Sequence, residues 1–570
     1  MRRTTGILAA ALISLAGVAA CSGSGSTTGS GPNGSGPNGS GPNGGSHRGG
    51  TLIMLSNASW GTLDPAKNYT VLGFQSAQYV YDGLVGFRRA AGVAGTAIVA
   101  DLATSVPKPT DGGRTYVFHL RSGIRYSNGT KLKASDFATV FKRQFTVPGP
   151  ANGFYEGIVG GTQCSKSAQK CDLSKGVVTD NAAGTVTFHL TAPDPEFLDK
   201  LALPFAVAIP GTTPAHDMGN APIPGTGPYM WKSYQPNSGA LMVRNPYFHV
   251  WSTDAQPAGN PNKIQFKFGL TIEDEVTEVE NNQADGMADA PPADRLNEIG
   301  TKYASRAHVN PLTAIYYMAL NVNVPPFNNL KARQAVNYGV NRSTYVKIFG
   351  GASLAQPSCQ VLPPNFPGYK PYCPFTLHPG ASGKWSEPDV TKARQLVKQS
   401  GTQGAHVAVV GTTDTIGKAI TLQFVQDLNR IGYVATAKLL SNAIQYPYIQ
   451  DSKNHVQVGY SQWYQDYPAA SDFLNVLLGC GYFHPGSDAS PNISGFCDHS
   501  VQGQMDHALQ VGETNPAAAN QVWSQVDQRV TDLSPIITLF NPKLVDFVSG
   551  RLHGYQYNPQ AGFLWDEVWF

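Results

Sequence analysis

The chain has 570 residues, 41% of them hydrophobic, and a formal net charge of +3 at pH 7. That length is too great for one hydrophobic core and predicts two or three lobes. The near-neutral charge, with no basic stripe along the sequence, argues against a nucleic acid as the partner.

The first twenty residues predict a signal peptide. Two arginines precede an apolar run at 6–20 that ends in small residues, which is the layout of a secretory signal. The run is shorter than the ~20 residues that a membrane-spanning helix needs. Cys21 follows at once, and the run VAAC resembles the lipobox at which bacterial lipoproteins are acylated. We therefore expect residues 1–20 to be removed and Cys21 to anchor the protein to the extracytoplasmic face of the cell membrane.

Residues 21–47 predict a flexible linker. They are almost entirely Gly, Ser, Thr, Pro and Asn, and they repeat the pentapeptide SGPNG three times. Such a composition buries too little apolar surface to offset the entropy of ordering the chain. The mature protein is therefore expected to be a globular body joined to its lipid anchor by a disordered linker.

Beyond residue 47, hydrophobic periodicity predicts strands and helices mixed along the whole chain, as in an α/β protein. Strands are predicted at 51–55, 115–120, 184–191, 239–243, 263–269, 314–323 and 406–410. Helices are predicted at 77–85 (running into a turn), 135–144, 195–203, 272–283, 330–339, 388–400 and 415–431. In the last helix Ile416, Ile420 and Phe424 recur on one face, and Gly432 follows as a C-cap glycine would.

Six cysteines follow Cys21 as three pairs of near neighbours. Local pairing is the simplest arrangement in an oxidising compartment. The predicted disulfides are Cys164–Cys171, Cys359–Cys373 and Cys480–Cys497. A metal site is the alternative for the last pair, because His484 and His499 lie near it, but the spacing fits no standard zinc pattern. No metal is expected.

The body carries no recognisable catalytic motif. It lacks H-E-x-x-H and G-x-S-x-G, and the acidic pairs Asp466/Asp472 and Glu273/Glu275 are most simply explained as solvated carboxylates. Nothing in the pattern assembles a nucleophile, a base and an oxyanion site. We expect neither an enzyme nor a cofactor.

One stretch is specific enough to suggest a family. Residues 111–130, DGGRTYVFHLRSGIRYSNGT, are similar to the signature D-G-x-T-Y-x-F-x-L-R-x-G-x-x-F-x-D-G-T, with one extra residue near Gly113 and with Tyr126 and Asn128 in place of Phe and Asp. Other motifs of the same family follow in order: LDP at 63–65, YDGL at 81–84, GTGPY at 225–229, NVNVPPFNNLKARQAVNYGVNR at 321–342, DLNRIGY at 427–433 and WYQDYP at 463–468. On these motifs the body resembles the extracellular solute-binding proteins of family 5, the oligopeptide-, dipeptide- and nickel-binding receptors of ABC transporters.

The resemblance implies a two-lobed α/β clamshell of the periplasmic-binding-protein type, class II, with an extra subdomain. A hinge motion would close the two lobes over a ligand. The implied boundaries are 48–85, 216–310 and 535–570 for lobe I, 86–215 for the extra subdomain and 311–534 for lobe II.

The resemblance also implies ligand-binding residues. Asp466, in the W-x-x-D-Y motif with Trp463 and Tyr467, matches the aspartate that meets the α-ammonium group in peptide-binding members; the alternative is a capping or surface aspartate. Tyr316 and Tyr317 match aromatic cleft residues, but core packing is an equal alternative. The predicted ligand-binding residues are Asp466, Trp463, Tyr464, Tyr467, Tyr316, Tyr317 and Tyr460.

The implied function is that of a substrate-binding protein of an ABC importer. It would act as a monomer, capture peptides or peptide-like solutes, and deliver them to permease subunits with cytoplasmic ATPases. Position 460 holds Tyr, where some oligopeptide binders have a basic residue, so the peptide length stays open. Alternatives are a receptor of the same fold for an oligosaccharide or a metal chelate and, less expected, a secreted enzyme.

Overall fold

The structure, a computed structural model, describes residues 47–147, 149, 151–488 and 490–570. The predicted signal peptide, Cys21 and nearly all of the predicted linker lie outside the described residues. The body, His47–Phe570, forms one compact unit. Among the helices of the described part, none is both long enough and apolar enough to cross a bilayer.

The first of two large sheets is built from the early part of the body. Its strands, in spatial order, are Gly286–Met287, Thr51–Ser56, Lys263–Phe268, Gly239–Arg244 and Tyr229–Gln235. Thr51–Ser56 pairs in parallel with both of its neighbours, and the other pairs are antiparallel. Alternate residues such as Leu52 and Met54 are buried in the main core, as expected for a strand with one face on a core.

The second sheet has seven strands. In spatial order they are Ala307–Pro311, Ile536–Phe547, Ala314–Leu320, Val458–Tyr464, His406–Thr412 and Val434–Leu440, and Ala355–Pro357 also pairs with Ile536–Phe547. Every residue of Ala314–Leu320 is buried. This central strand is covered on both faces, which explains why its sequence is a continuous apolar run and shows no alternation.

Helices cover both faces of the second sheet. One face packs against Leu330–Gly339, Arg342–Phe349, Val390–Gln399 and Thr415–Ile431. The other face packs against Asn442–Gln450, Ser471–Leu478, His499–Gly512 and Pro516–Leu533. Gly432 ends its helix in the left-handed conformation with φ 112°, which confirms the predicted C-cap.

The predicted extra subdomain contains a three-stranded sheet in the order Thr115–His119, Thr185–His189, Val177–Asp180. Its helices are Ala134–Thr146, Asn152–Tyr155, Gly161–Lys166 and Phe197–Leu201. The remaining α-helices of the described part are Val71–Val80, Ile272–Glu280 and Leu296–Lys302. The remaining strands are Val85–Phe87, Ile98–Ala100, Tyr557–Asn558 and Gly562–Phe563. The boundaries of the subdomain stay predictions.

One long strand contacts both large sheets, and the predicted lobe boundaries stay predictions. Ile536–Phe547, assigned to lobe I, pairs along its first half with Ala314–Leu320 of the second sheet. Its second half pairs with Ala307–Pro311, and its last residue packs against Leu55 of the first sheet in a separate core. One long strand therefore runs from the second sheet to the first.

The six cysteines of the body form three disulfide bonds, in the pairs that the sequence predicts. Cys359–Cys373 joins cysteines 14 residues apart, and in the chain-entropy account a loop of that size contributes about 3 kcal/mol to stability. Replacing both cysteines with alanine is expected to lower the free energy of unfolding by about that amount, measured by urea denaturation. Non-reducing peptide mapping is the control, and free thiols or crossed pairs in the wild type would contradict the prediction.

Candidate functional site

A cavity of about 550 Å³ lies between the beginning of the helix Val71–Val80 and the second sheet. Its volume falls within the range of small-molecule sites. It is lined by Tyr69, Thr70, Val71, Phe74, Tyr316, Phe349, Thr412, Asp414, Ile416, Asn442, Gln445, Tyr446 and the continuous run 460–466.

Two adjacent strands supply an aromatic wall of this cavity. Ala314–Leu320 and Val458–Tyr464 are antiparallel, with Tyr316 opposite Gln462. Side chains alternate between faces, so Tyr460 and Tyr464 lie on the same face as Tyr316. The hydroxyls of Tyr316 and Tyr464 are 2.9 Å apart. The Tyr316 ring stacks on Phe540 with centroids 4.6 Å apart. The aromatic wall therefore packs against the hydrophobic core.

Asp466 lies at the end of this wall, where the chain leaves the strand Val458–Tyr464. Only 7% of the residue is exposed. The Tyr69 hydroxyl lies 2.6 and 2.7 Å from the two carboxylate oxygens. The Asp466 carbonyl accepts a hydrogen bond of 2.6 Å from Gln560. These hydrogen bonds join Asp466, at the end of the aromatic wall, to Tyr69 just before the helix Val71–Val80 and to Gln560 in the C-terminal segment.

Burial raises the pKa of Asp466 to about 7, although the hydrogen bond from Tyr69 acts in the opposite direction. No Lys, Arg or His side chain in the described part of the chain forms an ion pair with this carboxylate. A buried carboxylate is normally paired or protonated. Asp466 is thus an acceptor that a positively charged ligand group would satisfy better than a tyrosine does.

Two more carboxylates lie behind Asp466, outside the cavity lining. Asp472 is fully buried and accepts a hydrogen bond of 2.9 Å from the backbone amide of Asp466. Burial and then the charge of Asp466 raise the pKa of Asp472. Glu196 accepts a hydrogen bond from Ser471, and burial raises its pKa too. Raised pKa values favour the neutral form of both carboxyls, and any negative charge that they do carry disfavours an anion near Asp466.

The cavity brings together five of the seven ligand-binding residues predicted from sequence, namely Asp466, Trp463, Tyr464, Tyr316 and Tyr460. Their roles in binding stay predictions. The structure does not place Tyr317 or Tyr467 there. Tyr317 lies on the opposite face of its strand, in the core under the helices His499–Gly512 and Pro516–Leu533. Tyr467 is buried in the main core near Phe154, because the chain turns inward after Asp466.

Sequence reasoning missed part of the lining. Tyr69, Phe74, Phe349, Asp414 and Tyr446 line the cavity but belong to four separate segments of the chain. The helix Asn442–Gln450 was not predicted, because it contains Pro447 and proline normally interrupts a helix. The motif LDP at 63–65 lies a few residues before Tyr69 and was the only nearby signal.

A profile of the family described as "Bacterial extracellular solute-binding proteins, family 5 Middle" matches residues 97–484. The chain belongs to this family. The resemblance drawn from its motifs is confirmed, and members of the family are receptors that work with ABC importers.

Relatives of the family 5 protein match over nearly its whole length. The glutathione-binding protein GsiB of Escherichia coli O1:K1 / APEC is 24% identical over 538 residues, covering 91% of this chain and 94% of the relative. The protein of the same name from Salmonella paratyphi A is 23% identical over the same length. These relatives are receptors and not enzymes.

Solved structures show the same fold. The clavulanic acid biosynthesis oligopeptide binding protein 2 superposes with a TM-score of 0.82 at 22% identity, covering 92% of this chain and 96% of that one. The Escherichia coli murein tripeptide binding protein MppA gives 0.71 at 19% identity, with 91% and 98% covered. DppA from Helicobacter pylori, in complex with the peptide STSA, gives 0.72 at 18% identity, with 92% and 99% covered. The predicted α/β clamshell is confirmed.

Proposed function

We propose that this family 5 protein is the lipid-anchored receptor of an ABC importer and captures peptides or peptide-like solutes that have a free amino group. The observation that carries the proposal is the buried carboxylate of Asp466, which lines a cavity walled by aromatic side chains and whose one side-chain partner among the described residues is the Tyr69 hydroxyl. A ligand ammonium there would make a charge-assisted hydrogen bond. Peptide backbone amides would pair with main-chain groups along the wall, as an added strand does.

The relatives support this choice of ligand. Three of the similar structures are named for an oligopeptide, a murein tripeptide and a bound peptide, and the curated relatives are named for glutathione, itself a peptide. The permease subunits and their ATPases are the partners that follow from the family. A monomer suffices, because one chain supplies the whole cavity.

Mass spectrometry of ligands that co-purify with the protein tests the proposal. We expect small solutes with a primary amine, released on denaturation, that raise the melting temperature when added back and are recovered unchanged. Recovery of a sugar or a metal chelate would show that the protein is a receptor of the same fold for a different class of ligand. Conversion of the added solute into a product would indicate an enzyme.

The anchor is tested separately from the ligand. Replacing Cys21 with alanine removes the only atom that an acyl chain would modify in the VAAC run. The variant is expected to move from the membrane fraction to the soluble extracytoplasmic fraction. Serine in place of Cys164 and Cys171 is the matched control, because it also removes thiols but leaves Cys21. Retention of the alanine variant in carbonate-washed membranes would contradict acyl anchoring.

Affinity for an amino ligand should depend on pH through Asp466. Its pKa is raised to about 7 by burial, and an ammonium binds only the ionised form, so lowering the pH through 7 adds the cost of removing a proton. Binding is expected to weaken roughly fifty- to hundredfold between pH 7.5 and pH 5. Calorimetry across this range measures it. Asp466→Asn should bind weakly with a nearly flat profile, and an equally steep profile in that variant would assign the titration to another group.

A further inference from the structure

The cavity is acidic. Its described lining contains two carboxylates, Asp414 and Asp466, and no Lys, Arg or His. A free peptide carries a carboxylate as well as an ammonium, and burying a carboxylate without a cationic partner is costly. A lining of this composition selects for ligand groups of positive charge.

Asp414 forms a second acceptor, separate from Asp466. It is the N-cap of the helix Thr415–Ile431, and its side chain accepts a hydrogen bond of 2.9 Å from the backbone amide of Gly417. Burial opposes ionisation of Asp414, but hydrogen bonds outweigh burial and lower its pKa. The residue is exposed and lines the cavity, so its charge is available to a ligand.

The surroundings of Asp414 suit a cation. Thr412 also lines the cavity, with 7% of the residue exposed, and its hydroxyl is one of the groups whose hydrogen bonds lower the pKa of Asp414. The hydroxyl oxygen can accept from an ammonium or a guanidinium group. The rings of Tyr316 and Tyr460 also line the cavity, and aromatic faces attract cations.

The two carboxylates act on different tyrosines. Burial is the main reason why the pKa of Tyr316 and of Tyr460 is raised, and the charge of Asp414 adds to both shifts. Burial and then the charge of Asp466 raise the pKa of Tyr446, and Asp466 accepts a hydrogen bond from Tyr69. One cavity is therefore lined by two separate carboxylates together with these tyrosine rings.

We propose that the preferred ligand is a dicationic peptide-like solute, with its α-ammonium at Asp466, a Lys- or Arg-type side chain at Asp414, and any carboxylate left toward solvent. This specificity rests on the proposed function, because it presumes that an amino ligand enters the cavity. It also separates this protein from its curated relatives, since glutathione carries two carboxylates and a single ammonium.

A pooled tripeptide library tests the specificity. It contains Xaa-Ala-Ala, Ala-Xaa-Ala and Ala-Ala-Xaa as amides and free acids, with Xaa as Lys, Arg, norleucine, Gln or Glu, and glutathione at the same concentration. After equilibrium dialysis, mass spectrometry reads the bound fraction. The wild type is expected to enrich Lys or Arg over norleucine at one position by about tenfold or more, the effect of one charge-assisted hydrogen bond.

Two matched variants locate the effect. Asparagine is also a good N-cap, so Asp414→Asn keeps the helix capped and removes the charge; we expect it to bring the Lys/norleucine ratio close to one. Asp389→Asn is the control, because Asp389 caps the helix Val390–Gln399 and lies outside the cavity lining; its carboxylate accepts a hydrogen bond from the backbone amide of Lys392. It should keep the wild-type ratio.

The outcomes separate the specificity from the proposed function. Capture of norleucine or Glu peptides as readily as Lys peptides, preferential capture of glutathione, or an unchanged ratio in Asp414→Asn overturns the dicationic ligand while peptide binding stands. If the wild type captures nothing from the library, both the specificity and the peptide-receptor function are overturned.

Discussion

Replacing Asp466 with alanine is expected to weaken the binding of a peptide with a free amino terminus by roughly thirty- to several-thousand-fold. The variant leaves the ligand ammonium in a buried place without its counter-charge. Truncating one member of a buried, hydrogen-bonded charge pair costs about 2–5 kcal/mol, and ~1.4 kcal/mol corresponds to a tenfold change in affinity. No other single change in the cavity lining should affect affinity as much.

Calorimetry on two proteins and two ligands isolates this interaction. The N-acetylated form of the same peptide has no ammonium, so it should bind poorly to the wild type and lose little more in the variant. The difference between the two losses is the coupling between Asp466 and the amino group. Asp466→Asn, which retains the shape and an acceptor for Tyr69, controls for local collapse. Equal losses for free and acetylated peptides would show that Asp466 does not recognise the amino terminus.

The sequence predicted the elements of the body that have a clear period. The helix Thr415–Ile431 has an apolar face repeating every three or four residues and a glycine after its last turn, and the structure has the same bounds. The strand Ile536–Phe547 was missed, although it is the longest in the described part. Its residues are nearly all buried and show no alternation, so periodicity could not identify it. The strands Ala307–Pro311 and Ala314–Leu320, with which it pairs, lie more than 200 residues away in the sequence. Local sequence could not reveal these partners.

In the candidate site, too, residues within a short motif could be predicted, and residues brought there only by the fold could not. Asp466 and Trp463 were predicted because they lie in one short motif. Tyr317 was predicted with its neighbour Tyr316, but consecutive residues of a strand point to opposite faces, and Tyr317 lies in the core on the face opposite to Tyr316. Tyr69 and Asp414 carry no motif and reach the cavity only through the fold.

Replacing Arg143 with methionine is expected to destabilise the protein by about 3–5 kcal/mol, the usual effect of removing one member of a buried ion pair. Arg143 and Asp64 have side chains 1% and 0% exposed and lie 2.5 Å apart. The guanidinium also donates to the carbonyl oxygens of Pro214 and His216. It thereby ties the helix Ala134–Thr146 to two loops. Methionine fills the volume but leaves the Asp64 charge and both carbonyls without this partner.

Urea denaturation with two matched variants tests this expectation. Asp64→Asn added to Arg143→Met removes the stranded charge and should recover part of the lost stability. Lys67→Met breaks a neighbouring ion pair, with Asp217, whose side chains are 43% and 33% exposed; because exposed pairs contribute only about 0–1 kcal/mol, it should change stability little. A small loss for Arg143→Met, equal to that of Lys67→Met, would mean that water reaches Asp64 and that the LDP motif does not depend on this arginine. A large loss that Asp64→Asn partly restores would assign the motif a structural role, in which its aspartate holds Arg143 and with it the helix Ala134–Thr146 in place.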